Sequence, residues 1–321
     1  MELALMLAIF LAGIILIVKG GDYFVDAASW IAEASGIPKL IVGATIVSLA
    51  TTLPEMLVSV MAAVQGKTDM AIGNAVGSVT ANLGLIMAIS VICMPVKIRR
   101  GDYLLKSVLM LAAAGTVVAG GMQGEVTLVL SLALLAVFGA FLYENLRSAQ
   151  QSMRCCGVGE LGPFRAQAPK REVLFNCIKF TVGAVGVILG ADLLVDSGSA
   201  LARLVGVSER IIGVTVVAVG TSLPELVTTV TAIAKKQSAL SVGNILGANI
   251  LDLTLILPLS GLIAGKPLPI SPTSAQIDLP ACLLVGGIAV IPAMLSVRFQ
   301  RWQGVALLAV YGVYLALTCG A

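Results

Sequence analysis

Two stretches of this chain, 170 residues apart, carry the same proline–glutamate pair inside an otherwise apolar run. The first reads Gly43-Ala-Thr-Ile-Val-Ser-Leu-Ala-Thr-Thr-Leu-Pro-Glu55, the second Gly213-Val-Thr-Val-Val-Ala-Val-Gly-Thr-Ser-Leu-Pro-Glu225. They belong to a longer repeat. Asp22–Ile86 aligns without a gap onto Asp192–Ile256, with roughly 22 of about 65 positions identical, far more than two arbitrary apolar segments share. The matches include residues that apolar composition alone does not supply: Asp22/Asp192, Asp26/Asp196, Thr45/Thr215, Thr51/Thr221 and Gly73-Asn74/Gly243-Asn244. Any fold for this chain must therefore place two like units, each with a glutamate in apolar surroundings.

Those surroundings are a membrane. The 321 residues are 58% hydrophobic and only 12% charged, too little charge to cover a soluble surface. Apolar stretches long enough to cross a bilayer recur from end to end, about ten at roughly 20 residues each. The expected spans lie near 3–34, 38–64, 69–95, 103–121 and 125–147, then 172–203, 208–234, 239–263, 277–297 and 303–319. The organisation read from this is a first five-helix repeat over 1–147 with its motif at 43–86, a cytoplasmic linker at 148–171, and a second repeat over 172–321 with its motif at 213–256. The fold class is an all-α polytopic membrane protein. The run Leu3–Val18 lacks a basic leader and is read as the first transmembrane helix.

Five crossings per unit turn the second unit upside down relative to the first, an inverted repeat of the kind secondary transporters use. The distribution of basic residues fits this. With both termini outside, Lys39, Lys97, Arg99, Arg100, Lys106, Arg147, Arg154, Arg165, Lys170, Arg171, Lys235, Lys236, Arg298 and Arg301 fall inside. Only Lys67, Arg203, Arg210 and Lys266 fall outside, as the positive-inside rule requires of an inner-membrane protein.

The chemistry lies at the two prolines. A proline within a helix lacks the amide proton and crowds the carbonyl four residues earlier, so Pro54 frees the carbonyl of Ala50 and Pro224 that of Gly220. Thr51, Thr52, Thr221 and Ser222 cluster beside the breaks. Glu55 and Glu225 follow directly. A mid-bilayer carboxylate is costly unless paired, and neither central helix offers a nearby lysine or arginine. A cation shared between the two glutamates satisfies both. The next helices add Ser78 and Asn82, one turn apart, and Asp252 at the repeat position of Asn82. Asn74, Asn244 and Asn249 suit either hydrogen bonding between helices or lining of an ion path. Gly73-x-x-x-Gly77 and Gly243-x-x-x-Gly247 are close-packing signals. The paired aspartates Asp22/Asp26 and Asp192/Asp196 stand one helical turn apart and need water or a cap. Trp30 and Trp302 read as anchors at the membrane interface.

The donor set is all oxygen. The chain has no histidine, and its six cysteines lack the spacing of a zinc site or a disulfide framework. Hard cations such as Ca²⁺ and Na⁺ match this set. The small net charge of +3 argues against a nucleic-acid partner, and no phosphate-binding loop marks an ATP-driven pump. The reading is a transporter, not an enzyme, with no cofactor. Its partners are the transported ions and the lipid bilayer, and a monomer is the functional unit.

These motifs resemble those of the cation/Ca²⁺ exchanger superfamily, in particular the sodium/calcium exchanger branch of the compact prokaryotic type. The carrying residues are Ala50-Thr-Thr-Leu-Pro-Glu55 with Gly73-Asn-Ala-Val-Gly-Ser78, and Gly220-Thr-Ser-Leu-Pro-Glu225 with Gly243-Asn-Ile-Leu-Gly-Ala-Asn249. The resemblance implies that Glu55 and Glu225 bind Ca²⁺ with the carbonyls of Thr51 and Thr221. It implies Na⁺ on the carbonyls of Ser48 and Ala218, on the hydroxyls of Thr52, Ser222 and Ser78, and on the same glutamates, with Asn82 and Asp252 completing the set. It also implies alternating access, the first helices of the two repeats sliding as a pair across a fixed core. The alternatives on the same scaffold are a Ca²⁺/H⁺ exchanger and a K⁺-dependent Na⁺/Ca²⁺ exchanger; a cation channel is a third reading. The chain departs from the family pattern at Thr52, at Val79-Thr80 and at Ala248, where a serine matching Ser78 is usual.

Overall fold

The computed structural model describes residues 2–95, 100–155, 169–204, 220 and 222–320. The described residues are almost wholly helical. Helix α1 spans Glu2–Ser35. Helix α2 (Lys39–Thr51) meets α3 (Leu53–Val64) at a bend of 48°. Helix α4 (Thr68–Ala81) passes through a π-helical turn at Asn82–Met87 into α5 (Ala88–Cys93), followed by α6 (Arg100–Gln123) and α7 (Leu128–Cys155). The second half holds α8 (Lys170–Leu204), α9 (Leu223–Ala234) and α10 (Ser238–Leu251). Another π turn at Asp252–Ile256 leads to α11 (Leu257–Ala264), and a π turn at Ser274–Asp278 opens α12 (Leu279–Ser296), before α13 (Arg301–Gly320).

Among the described residues, seven helices are long and apolar enough to cross a membrane, or eight if α2 and α3 form one bent span. The expected span near 208–234 is described only from Gly220, so its first part lies outside the described residues. Helix α7 runs through Ser148 to Cys155, into the stretch read as linker. Lys106, counted above among the loop residues, lies inside α6 and is fully buried.

Element boundaries recur at the repeat distance. Helices α3 and α9, then α4 and α10, begin and end at equivalent positions, and the π turns open at equivalent residues, Asn82 and Asp252. The first helices of the two halves, α1 and α8, run antiparallel against each other: Trp30 meets Glu172, Phe24 stacks on Phe180 at 4.5 Å, and Gly13 meets Gly190. This packing is backbone on backbone. A Cβ on Gly20 would lie 2.8 Å from the amide nitrogen of Val187, and one on Gly190 2.8 Å from that of Ile17. Without a hydrophobic force between helices in lipid, such close approach by small residues is what holds a helix pair together.

The core lies between α4, α10 and the elements around them, where Leu83, Ile86, Met87, Ile245, Leu246, Leu253 and Ile256 are fully enclosed. Gly243 and Gly247 of α10 press against α2: a Cβ on Gly243 would run into the backbone carbonyl of Leu40, and one on Gly247 would lie 2.6 Å from that of Ala44. The close-packing motif of the second half is thus used for helix contact. A two-residue antiparallel pairing joins the loops of the two halves, β1 (Glu125–Val126) with β2 (Leu268–Pro269), reinforced by Ile270 N–H donating to the Gly124 carbonyl at 2.8 Å.

Replacing Gly243 by alanine forces backbone apart and is expected to cost about 1–3 kcal/mol. In contrast Gly139→Ala, on α7 where an added Cβ meets nothing within 4 Å, is expected to be neutral or slightly stabilising. Thermal unfolding of the two variants in detergent checks the difference.

Candidate cation site

Each Leu-Pro-Glu motif opens a helix. Pro54 and Pro224 stand at the first positions of α3 and α9, where the missing amide proton costs nothing, and Glu55 and Glu225 fall in the first turn. There the unsatisfied N–H groups and the positive end of the helix dipole favour negative charge. The chain before each helix bends at Thr52 and Ser222, whose carbonyls accept the amide protons of Met56 and Leu226 at 3.0 Å in both halves. The sequence thus puts a carboxylate on a broken helix end deep in the protein, where both glutamates are entirely buried.

The two ends face each other. Thr52 Oγ1 donates to Glu225 Oε1 at 3.3 Å, and Ser222 Oγ donates to Glu55 Oε1 at 3.3 Å. These bonds are repeat-equivalent, each half supplying a hydroxyl to the other half's carboxylate. The Ser78 hydroxyl also acts on Glu55 and that of Thr51 on Glu225. Thr51 Oγ1 further reaches the Ser48 carbonyl and Asn244 Oδ1, both at 3.3 Å. Glu55, Glu225 and Asp252 lie within Coulombic reach of one another. One oxygen of each glutamate, both oxygens of Asp252 and both amide atoms of Asn82 have no hydrogen-bond partner among the described residues. Buried polar atoms are nearly always satisfied, and elsewhere among the described residues Tyr103 Oη, Ser107 Oγ and both amide atoms of Asn145 are likewise without a hydrogen bond.

Asparagine brackets hold the frame. Asn74 Nδ2 donates to Ser59 Oγ at 2.9 Å and to the Glu55 carbonyl at 3.2 Å. Its counterpart Asn244 donates to Thr228 Oγ1 at 3.0 Å, and Thr228 in turn donates to the Glu225 carbonyl at 3.0 Å. Both asparagines therefore tie α4 and α10 to the glutamate-bearing helices. Asn249 is fully buried with neither amide atom paired.

Of the residues singled out from sequence, Glu55, Glu225, Thr51, Thr52, Ser222, Ser78, Asn82, Asp252 and Ser48 are all buried among the described residues. The Ser48 carbonyl already accepts the Thr52 amide at 2.9 Å besides the Thr51 hydroxyl, and the Ser48 hydroxyl donates to the Thr45 carbonyl at 3.1 Å. Thr221 and Ala218 lie outside the described residues. Among the described residues no three acidic, cysteine or histidine side chains converge tightly enough to hold a metal ion by themselves. Sequence reasoning passed over Ser59 and Thr228, whose signal was the pair of repeated asparagines needing partners. It also passed over the buried thiol of Cys282, which interacts with Thr80 beside Asp252 and which nothing in the sequence marks.

Such an arrangement suits a cation held in oxygen. Two carboxylates balance one divalent charge, and hydroxyls, amides and main-chain carbonyls complete the six to eight ligands that Ca²⁺ takes.

Comparisons with known proteins agree with this chemistry. The family model described as sodium/calcium exchanger protein matches residues 5–146 and 176–320, one match in each half. The sodium/calcium exchanger MaX1 of Methanosarcina acetivorans is 30% identical over 96% of this chain and 97% of its own. Inner membrane protein YrbG of Escherichia coli is 31% identical over 97% and 95%. Among solved structures, the sodium-calcium exchanger NCX_Mj soaked with Na⁺ superimposes with a TM-score of 0.80 at 28% identity, covering 98% of both chains. The same protein soaked with Na⁺ and Sr²⁺ gives a TM-score of 0.81 over the same coverage. The chain is a multi-pass membrane protein of the sodium/calcium exchanger family.

Proposed function

We propose that this protein is a secondary-active antiporter that exchanges Na⁺ for Ca²⁺ by alternating access, using one site shared between two inverted five-helix halves. The observation that carries the reading is the reciprocal pair of hydroxyl–carboxylate bonds, Thr52 to Glu225 and Ser222 to Glu55, around carboxylate oxygens that have no partner among the described residues. Glu55 and Glu225 hold Ca²⁺ with the carbonyls of Thr51 and Thr221. Na⁺ uses the same carboxylates with Ser48, Ala218, Thr52, Ser222 and Ser78, and Asn82 and Asp252 complete the ring. Because both ions need the same two negative charges, Na⁺ entering displaces Ca²⁺, which couples the two fluxes.

Inversion is supported by the antiparallel run of α1 against α8 and by the contacts between loops. The β1–β2 pairing joins two loops assigned to the outside, and the bond from Lys39 Nζ to Gln237 Oε1, at 2.7 Å, joins two assigned to the inside. Ten crossings with both termini extracytoplasmic, in an inner membrane, satisfy these contacts together with the charge bias. Complete burial of both glutamates argues against a channel, which needs a continuous wet path.

Purified protein in liposomes is expected to accumulate labelled Ca²⁺ only against an outward Na⁺ gradient. Equal uptake on a pH gradient in Na⁺-free buffer would assign H⁺ as the counter-ion, and a strict K⁺ requirement would assign co-transport of K⁺. Glu55→Gln and Glu225→Gln are each expected to abolish exchange while the protein still folds; exchange retained by either variant would refute the shared site. Thr52→Val and Ser222→Ala each remove one hydrogen bond to a charged group and are expected to raise half-saturating Ca²⁺ by roughly tenfold, to similar extents, in the same flux assay.

A further inference from the structure

The two halves are not alike where the α1–α8 pair meets the helix that carries Glu225. Lys235, just beyond the end of α9, reaches α1: its ammonium lies 2.6 Å from Asp26 Oδ1, 3.2 Å from Asp22 Oδ1 and 3.0 Å from the Asp22 carbonyl. From α8, Lys179 pairs with the other oxygen of Asp26 at 3.0 Å and lies over the ring of Tyr23 at 5.7 Å. Beside this cluster Gly21 of α1 is packed against α9, so that an added Cβ would lie 2.9 Å from both Thr231 Oγ1 and Val227 Cγ1. The lysine side chains are 26% and 22% exposed, enough burial for the pairs to escape full screening by water.

The repeat makes the asymmetry legible. Asp192 and Asp196 preserve the acidic pair on α8, yet Gln65 and Ile9 occupy the positions equivalent to Lys235 and Lys179, and Ala191 replaces Gly21. The alignment is sound there, because Phe10/Phe180, Gly13/Gly183 and Gly20/Gly190 match in the same helices. One face of the membrane thus has an electrostatic clasp between the α1–α8 pair and the site-bearing core. On the other, Gln65 and Ile9 stand at the repeat positions of those lysines.

We infer that Lys235 is a positioning residue: its clasp on Asp22 and Asp26 holds the α1–α8 pair against α9 and biases the exchanger toward the state closed on the face bearing Lys39, Lys235 and Lys236. This rests on the alternating-access reading, in which access on that face requires the pair to leave α9. That face is cytoplasmic by the charge bias, so the clasp makes the two directions of exchange unequal. A ligand's apparent affinity from one side falls with the fraction of molecules open to that side, so weakening the clasp strengthens apparent binding from the cytoplasm and weakens it from outside.

The test combines sidedness with accessibility. In oriented vesicles, Lys235→Gln, which copies the other half, is expected to lower the ratio of cytoplasmic to external half-saturating Ca²⁺ by roughly threefold or more, while Lys235→Arg keeps the ratio. In detergent, a Thr231→Cys thiol at the α1–α9 contact is expected to react with a maleimide faster in the Lys235→Gln background, as read by mass spectrometry of that site. The labelling arm needs no transport, so it stands even if the transported ions prove to be different. Gln65→Lys guards against a folding defect: it places a lysine at the repeat-equivalent position in the half that carries Gln65, and is expected to move the ratio the other way. Equal change on both sides for Lys235→Gln, unchanged labelling at position 231, or no shift with Gln65→Lys would each overturn the clasp.

Discussion

A carboxylate fully removed from water must be neutralised, paired or coordinated, and in this protein two of them are placed opposite each other. Each stands on the positive end of a helix that begins at a proline, and each takes a hydroxyl from the opposite half. Neither half can do this alone. Thr52 is in reach of Glu225 only because the bend between α2 and α3 meets the start of α9. The charge is thereby divided over two helix ends, with one oxygen of each unpartnered among the described residues, an arrangement suited to a cation that later leaves. A lysine in the same place would satisfy the carboxylates permanently and end the function.

Precision at the centre is supplied by packing around it. In lipid, apolar burial does not drive helices together, so contact depends on backbone proximity and interhelical hydrogen bonds. Gly243 and Gly247 let α10 lie on α2 with backbone against backbone, and this brings Asn244 to Thr51 and Thr228. Asn74 does equivalent work on Ser59 and the Glu55 carbonyl. These bonds fix the helix ends without consuming the free carboxylate oxygens. The α1–α8 pair is built differently, tightly glycine-packed within itself and tied to α9 chiefly at one end. A unit joined internally by backbone contact, and externally by a few ion pairs and the apolar contacts of Phe24, Val25 and Ala28, is suited to move as one body.

Much of this was legible because the repeat doubles every signal. A lone Pro-Glu in an apolar run is ambiguous; two at a fixed distance, each with hydroxyls before it and Gly-Asn after it, leave few interpretations. The apolar stretches located the seven or eight described helices long enough to cross a bilayer, and the positions of Glu55, Glu225, Asn82 and Asp252 followed from alignment alone. What the sequence could not convey was pairing across space. Thr52 and Thr51 differ by one residue, yet Thr52 donates to the glutamate of the other half, whereas Thr51 also reaches Ser48 and Asn244. The π turns at Asn82 and Asp252 likewise leave no compositional mark, although an extra residue in a turn rotates the side chain that follows. The cluster of Asp22, Asp26, Lys179 and Lys235 was half visible, as acidic pairs needing a cap, while the lysines that supply it come from two other helices.

The places where the repeat fails carry as much information as those where it holds. If both halves were identical, the site would have a twofold axis and offer equal numbers of equivalent ligands to every ion. Asn82 against Asp252, and Ser78 against Ala248, break that equality next to the carboxylates. Asp252 brings a third buried carboxylate in one half, and Ala248 removes a hydroxyl in the same half, so acidic and neutral oxygens are distributed unequally between the halves. The lysine clasp breaks it again at the periphery. An exchanger needs two states that are similar enough to interconvert and different enough in energy to be set by the ions it carries. Symmetry of the scaffold supplies the first requirement, and these few substitutions, confined to charged and hydroxyl positions, supply the second.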